Sequence, residues 1–401
     1  MAGLPLDGVR VLSIEQMQAL PFATQLLGRL GADVVKVEAP HGDQARSSFP
    51  AITDPDGRSV GATFLRNNLN KRSICIDCKQ PEGRDLVLAL APKFDIVAEN
   101  ARSGATTKLG LGYEDICAVH PSVIYLSISG FGNSVPSPYR DWPAFAAVAE
   151  AMSGIYEAKR PPDGPPMVAP VGALGDISAA LFATIGLLAA LRQRDATGEA
   201  QYVDIAMLDS VVAMTDVVTN FWSLGGSLGR SGAIIMDGFR ASDGWFVIHV
   251  GREHQFRRLV ELIGRPEWVH DPRFATREGW REHLESAIRP AVEAWAADQP
   301  KVAVCQTLAD AGIAAGPCFT DEEVAHDPHL AARHMMVAMP RTDGVEQPVL
   351  VPGNPVKIAG VPEVEDRRVP WLGEHTDEVL RAELGLSETD LAGLRSNAVI
   401  R

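Results

Sequence analysis

The sequence predicts an α/β protein with a smaller second domain. Two observations carry the prediction. Strand and helix signals alternate from Val9 to Ser129, the pattern of a largely parallel sheet. From about Gly225 the texture turns mainly helical. Val9–Ile14 is the first strand candidate, and apolar positions from Phe22 through Leu26, Leu27 and Leu30 then recur at helical spacing and stop at Gly31. Ala32–Val37 and Ser73–Asp77 are the second and third strands. Helix Gly83–Leu90 leads to strand Phe94–Ala98, and Val123–Ser129 follows another helix.

Past the glycine-rich stretch 225–232, a strand at Trp245–Val250 is followed by helical patterns at Gln255–Ile263, Glu278–Ala297 and Val302–Ala311. Pro290 breaks or kinks the middle one. Asp271-Pro272 and Asp327-Pro328 punctuate the region. From about Pro370 two capped helices are expected, with Ser387 and Asp390 forming a capping box. The expected boundaries are 1–224, 225–330 and a closing segment 331–401, in keeping with 401 residues at about 150 per domain.

Composition excludes several classes. A 46% hydrophobic and 22% charged chain is neither disordered nor fibrous. Thirty-seven basic against 51 acidic residues leave a net charge of −14, which opposes non-specific nucleic-acid binding. Five cysteines do not make a disulfide framework and suit a reducing compartment. The longest apolar stretch, Ala179–Leu191, falls short of the roughly 18 residues of a membrane span, and Met1–Asp7 lacks the marks of a leader. A soluble, cytoplasmic protein is expected.

The first strand-to-helix turn, Glu15-Gln16-Met17-Gln18-Ala19-Leu20-Pro21, contains no glycine. A pyrophosphate cannot approach such a backbone closely, so the dinucleotide reading fails despite Glu38 at the end of the second strand. Cys75-x-x-Cys78 has no second cysteine pair at zinc spacing, His326-Asp327-Pro328-His329 lacks a third ligand, and no G-x-S-x-G elbow is present. No metal site is expected. Lys36, Arg46, Lys71, Arg72, Lys79, Lys108 and Arg140 cluster at strand ends and connections. They read as a solvated face or as donors to a phosphate-rich ligand. Val171–Ser178 opens an apolar helix, and Asp176 within it has two readings. One is an N-cap; the other is a carboxylate nucleophile beside exposed backbone N–H groups.

Several blocks in order resemble the family III CoA-transferases, which include formyl-CoA and carnitine CoA-transferases and are related to α-methylacyl-CoA racemases. The blocks are Pro5–Leu12, Leu30–Glu38, Gly42-Asp43 with Arg46, Asn70–Ile74, Ser129–Gly132, Ala151–Gly154, Gly175-Asp176, Thr197–Glu199 with Val203-Asp204, Asp271–Phe274 and Leu372–Thr376. The resemblance implies a Rossmann-like large domain built from both termini and an interlocked homodimer. It implies that Asp176 attacks an acyl-CoA thioester, giving an anhydride and then an enzyme–CoA thioester. CoA contacts carried over are Met17, Gln18, Ile76, Lys79, Asn100, Lys108 and Leu109, with Arg140 as a looser one. Acyl-CoA and a small carboxylic acid would be the substrates, with no prosthetic group. The chain departs from relatives at Ala146, where many have a polar or acidic residue, and at Glu150, where Gln is common. Two alternatives stay open: a racemase, although no histidine lies between His120 and His249, and a non-catalytic CoA-binding subunit of a hetero-oligomer.

Overall fold

The computed structural model describes residues 3–157, 160–161, 163–168, 172–215, 221–226 and 234–401. Val171 and residues 227–232 of the glycine-rich stretch lie outside them. Packing divides the chain into two units: residues 1–220 with 331–401, and residues 221–330.

In the first unit, β1 (Arg10–Ile14), α1 (Ala19–Arg29) and β2 (Asp33–Glu38) are followed by a hairpin, β3 (Ala51–Thr53) and β4 (Ser59–Gly61), and by α2 (Ala62–Asn67). Then come β5 (Arg72–Cys75), α3 (Pro81–Leu90), β6 (Ile96–Glu99), α4 (Ala105–Lys108), α5 (Tyr113–Val119) and β7 (Ile124–Ser129). Helices α6 (Ala146–Met152) and α7 (Leu174–Thr197), strand β8 (Gln201–Ala206) and helix α8 (Met207–Met214) complete this stretch. Six strands form one sheet in the order β5-β2-β1-β6-β7-β8, and all its pairings are parallel. The chain leaves β1 toward β2 on one side and later returns to β6 on the other, so the switch point lies between β1 and β6. Ligand crevices of open α/β sheets form at the carboxyl ends of such strands.

Both faces of the sheet are covered, which is why its strands read as nearly unbroken apolar runs. Val11, Val34, Ile96, Ile124 and Leu126 pack on one face with Leu20, Ala23 and Leu27 of α1 and Ala180, Ala183 and Leu187 of α7. Their neighbours Leu12, Val35, Val97 and Tyr125 point the other way.

The second unit holds an antiparallel sheet, order β11-β10-β9, of β9 (Ile235–Ala241), β10 (Gly244–Val250) and β11 (Ala314–Pro317). Its helices are α9 (Glu253–Leu262), α10 (Arg277–Glu282), α11 (Arg289–Ala296) and α12 (Lys301–Asp310), with short α13 (Asp321–Ala325) and α14 (Pro328–Ala332) near its end. The expected helix 278–297 is interrupted: a π-helical segment at Leu284–Ile288 precedes α11, whose first turn carries Pro290. Proline is tolerated there because that N–H has no helical partner. Phe246, Phe256, Trp268, Phe274 and Trp280 fill this unit's core.

The chain then adds hairpin β12 (Met336–Met339) and β13 (Val349–Pro352) and helices α15 (Thr376–Leu384) and α16 (Glu388–Ser396) to the first unit. Val379, Leu380 and Leu391 close the sheet's second face, and Ser387 and Asp390 make the expected capping box.

The apolar stretch 179–191 lies inside a longer helix, the 24-residue α7, which is long and apolar enough to cross a membrane by length and composition. One side of it is core, whereas Leu181, Ile185 and Leu188 on another are exposed.

Candidate active site

The turn after β1 is built without glycine yet takes a left-handed conformation at Met17, φ 61°, which side chains adopt only when their surroundings impose it. Those surroundings are a buried charge cluster. Asp43 accepts the Met17 N–H at 2.9 Å through Oδ1 and Lys36 Nζ at 2.7 Å through Oδ2. Lys36 Nζ also donates to the Glu15 carbonyl at 3.1 Å. Lys71 Nζ donates to Glu15 Oε1 at 2.6 Å, to the Pro21 carbonyl at 2.8 Å and to Asn68 Oδ1 at 3.1 Å. Thr24 Oγ1 donates to Glu15 Oε2 at 2.7 Å. Burial pushes the Lys71 ammonium down to about 8 despite Glu15. For Lys36 burial also acts downward, but Glu15 and Asp43 outweigh it and the net shift is upward.

Four of the basic residues that suggested phosphate donors are therefore structural. Lys36 and Lys71 belong to this cluster, Arg46 pairs with Glu38 at 2.6 Å, and Arg72 pairs with Asp33 at 2.6 Å. Glu38 itself is engaged by Arg46 and by Ser73 Oγ at 2.6 Å. Burial opposes its charge, yet these partners hold it below the usual carboxylate range.

Asn100, just past β6, clamps the same turn: its Oδ1 accepts the Gln16 N–H and its Nδ2 donates to the Gln16 carbonyl, both at 2.9 Å. Beside it, burial pushes Glu99 up to about 7, although Ser127 Oγ and the Ala101 N–H donate to it at 2.5 and 2.7 Å.

Asp176 enters from α7. The N-cap position is Ala173, at φ 63° and without a side-chain cap, so Asp176 lies inside the first turn and the N-cap reading is overturned. Gly175 lets the helix start approach α6: a Cβ there would stand 2.9 Å from Ala146 Cα and 3.0 Å from its carbonyl oxygen. Gly175→Ala should therefore cost about 1–3 kcal/mol by overpacking and displace Asp176. A Tm unchanged from the parent would contradict this. The Gly175 N–H donates to Glu150 Oε1 at 2.9 Å. Burial, and secondarily the Glu150 charge, push the Asp176 carboxyl up to about 6.

These pieces meet at a cavity of about 240 Å³ lined by the β1 turn (Gln16–Ala19), the ends of β6 and β7 (Asn100–Ser103 and Ile128–Phe131), the segment Arg140 and Trp142–Phe145, Asp176 and Met207. A second cavity of about 190 Å³ over the ends of β1, β2 and β6 shares Gln16, Asn100 and Ala101 with it. Met17, Gln18, Asn100, Arg140 and Asp176 thus converge. The buried Gln18 Nε2 has no hydrogen-bond partner among the described residues.

Ile76, Lys79, Lys108 and Leu109 do not line that cavity. Ile76 is fully buried and bridges to Ile400, Leu109 packs against the core of the second face, and Lys79 and Lys108 are exposed. Sequence reasoning missed Arg102, Phe131, Trp142, Phe145 and Met207. Arg102 was within reach of the strand-end rule, since it lies two residues past Asn100. Among the described residues no group of three or more His, Cys, Asp or Glu could hold a metal. Burial pushes the Cys75 and Cys78 thiols up to about 11, against redox chemistry at that pair.

Fold and site together define an open parallel α/β protein with a partly buried carboxylate at a helix start facing a strand-end cavity. The sequence of residues 6–376 matches the model of CoA-transferase family III, and the chain belongs to that family. It is 36% identical over 406 residues to succinyl-CoA–D-citramalate CoA-transferase of Chloroflexus aurantiacus, covering 99% of this chain and 98% of that one. It is 35% identical to a formyl-CoA:oxalate CoA-transferase of Streptomyces avermitilis, over 98% and 99% of the two chains. It is 32% identical to the succinyl-CoA–L-malate CoA-transferase beta subunit of C. aurantiacus, over 99% and 98%. A solved CAIB/BAIF family protein from Brucella suis superposes with a TM-score of 0.83 at 33% identity, covering 96% of this chain and all of that one.

Proposed function

We propose that the protein moves coenzyme A between an acyl-CoA thioester and a free carboxylic acid, with Asp176 as nucleophile. The observation that carries this is a carboxylate on the wall of a strand-end cavity, lifted only to about 6. At neutral pH it is mostly ionised, yet more basic than an exposed aspartate. Asp176 attacks the thioester carbonyl, the C–S bond breaks, and an acyl-aspartyl anhydride and CoA thiolate result. The thiolate attacks the Asp176 Cγ carbonyl, releasing the donor acid as its carboxylate and leaving CoA as a thioester on Asp176. The acceptor carboxylate attacks that carbonyl and displaces thiolate, which then takes the acyl group and frees Asp176. No proton is gained or lost overall, so the scheme needs no paired acid and base.

Gln18 Nε2 is the proposed donor to the oxyanion formed at each attack. Met17, Asn100 and Arg140 would contact CoA. Its nucleotide would extend over the second cavity, and exposed Lys79 and Lys108 supply charge to phosphates. The substrates are an acyl-CoA and a small carboxylic acid, in keeping with the named relatives. A homodimer would cover Leu181, Ile185 and Leu188 on α7, interlocked as the family resemblance implies. Five unpaired cysteines favour a cytoplasmic setting. A racemase needs a second acid or base opposite Asp176, and the lining of the first cavity offers no histidine for it.

Incubating the purified single chain with a panel of acyl-CoAs, followed by peptide mass spectrometry, tests the proposal. A CoA-sized adduct on the Asp176 peptide is expected, and it would also dispose of the non-catalytic-subunit alternative. Solvent deuterium at the α-carbon of a branched acyl-CoA, without an adduct, would favour the racemase.

A further inference from the structure

Glu150, on α6, is 2% exposed and takes no part in the transfer steps above. Its oxygens have separate partners: Oε1 accepts the Gly175 N–H at 2.9 Å, and Oε2 accepts from the Tyr156 hydroxyl. The Glu150 carbonyl accepts Ser153 Oγ at 2.7 Å, a contact local to the end of α6. The Gly175 contact lies one peptide from Asp176, at the turn where the reacting carboxylate leaves α7. We infer that Glu150 is a positioning residue for Asp176, anchoring the start of α7 and holding a second carboxylate charge behind the reacting one. The inference rests on the reading of Asp176 as nucleophile.

The resting site then carries the Glu150 charge acting on the Asp176 carboxylate, an arrangement that like-charge repulsion disfavours. Acylation of Asp176 passes its charge to the CoA thiolate, and conversion to the CoA thioester passes it to the donor acid, which leaves as its carboxylate. The repulsion is present in the free enzyme and absent in the CoA thioester once that acid has left, so Glu150 favours formation of the thioester. The other charged groups nearby do not cancel it. Arg102 and Arg140 line the cavity and keep their charge, because the Asp141 carbonyl and Ser103 Oγ to which they donate are neutral, but the charge that acts on the Asp176 carboxyl is that of Glu150. On α1, Arg29 pairs with Asp366 at 2.9 Å. On α8, Asp209 interacts with Asp204. Burial together with the Glu150 charge accounts for the elevation of Asp176 to about 6.

Two variants separate charge from anchor. Glu150→Gln keeps an oxygen for the Gly175 N–H and removes the charge. The acidic limb of its transfer rate should move down by about half a pH unit or more, and less Asp176 should be held as CoA thioester at a fixed ratio of acyl-CoA to acid. Glu150→Asp keeps the charge but is one methylene too short for Gly175. Its limb should stay in place while its plateau rate drops about tenfold at unchanged KM. If Glu150→Gln fails to fold, Glu150→Asp still tests the anchor, and a wild-type plateau rate there overturns it. If the parent protein forms the Asp176 adduct and both variants keep its pH profile and rate, the role of Glu150 is refuted and the nucleophile stands. If the parent forms no adduct, the nucleophile reading fails and this inference falls with it.

Discussion

Asp176→Asn should abolish CoA transfer and make the protein more stable at neutral pH. Asparagine has the same shape, and no cap is lost, because the N-cap is Ala173. It cannot form the anhydride, so the rate should fall more than about 10³-fold. The stability gain follows from linkage. The folded carboxyl titrates at about 6 against an ordinary value of 3.8, so the folded state holds its proton more tightly than the unfolded state. Below the unfolded value both states are protonated and burial of the group costs little. The cost of a buried charge beside Glu150 builds up as pH rises from the unfolded value and is fully expressed above the folded one, on the order of 3 kcal/mol. Thermal melts should show the variant above the parent at pH 7.5 and level with it below about pH 4. Retained activity would remove Asp176 from the chemistry; a lower melting point at pH 7.5 would mean that the carboxylate is structural.

Asp176 shows what a sequence reveals and what it conceals. Its position at the start of a long apolar helix was legible from the small residue and carboxylate that open it, although its place inside the first turn was not, since caps are set by backbone angles. The central strands were legible because both faces of the sheet are buried. Strand β8, with Tyr202 and Asp204 among its apolar residues, breaks that signal and was missed. Charge was the least legible feature. Lys36 and Arg46 look like free donors, yet their acids lie close in the chain: Asp43 is seven residues from Lys36, and Glu38 is eight from Arg46. Lys71 finds Glu15 across 56 residues, which no local pattern discloses. Trp142 and Phe145 were missed for the same reason. Loops at strand ends share a site only once the sheet has ordered its strands.

Glu15→Gln should be among the most destabilising substitutions in the first unit. Glu15, Lys36, Lys71 and Asp43 form a cluster with almost no exposed side-chain surface. Glu15 is the acid that both lysines share: Lys71 Nζ is 2.6 Å and Lys36 Nζ 3.6 Å from Oε1. Removing its charge leaves two buried ammonium groups with one carboxylate, Asp43, an imbalance that costs about 3–5 kcal/mol. Activity should fall as well, because Asp43 also holds the Met17 N–H and with it the turn that presents Gln18. Replacing the pair with apolar groups is a different matter. Glu15→Leu combined with Lys71→Met removes both charges and should recover much of the lost stability, without restoring the turn or the rate. Urea unfolding of the single and double variants checks this. A loss below about 1 kcal/mol for Glu15→Gln, or a double variant no better than the single, would show that the charges are not coupled. Recovered stability with depressed transfer would assign the cluster its role: it is a means of imposing a left-handed residue on a turn that has no glycine.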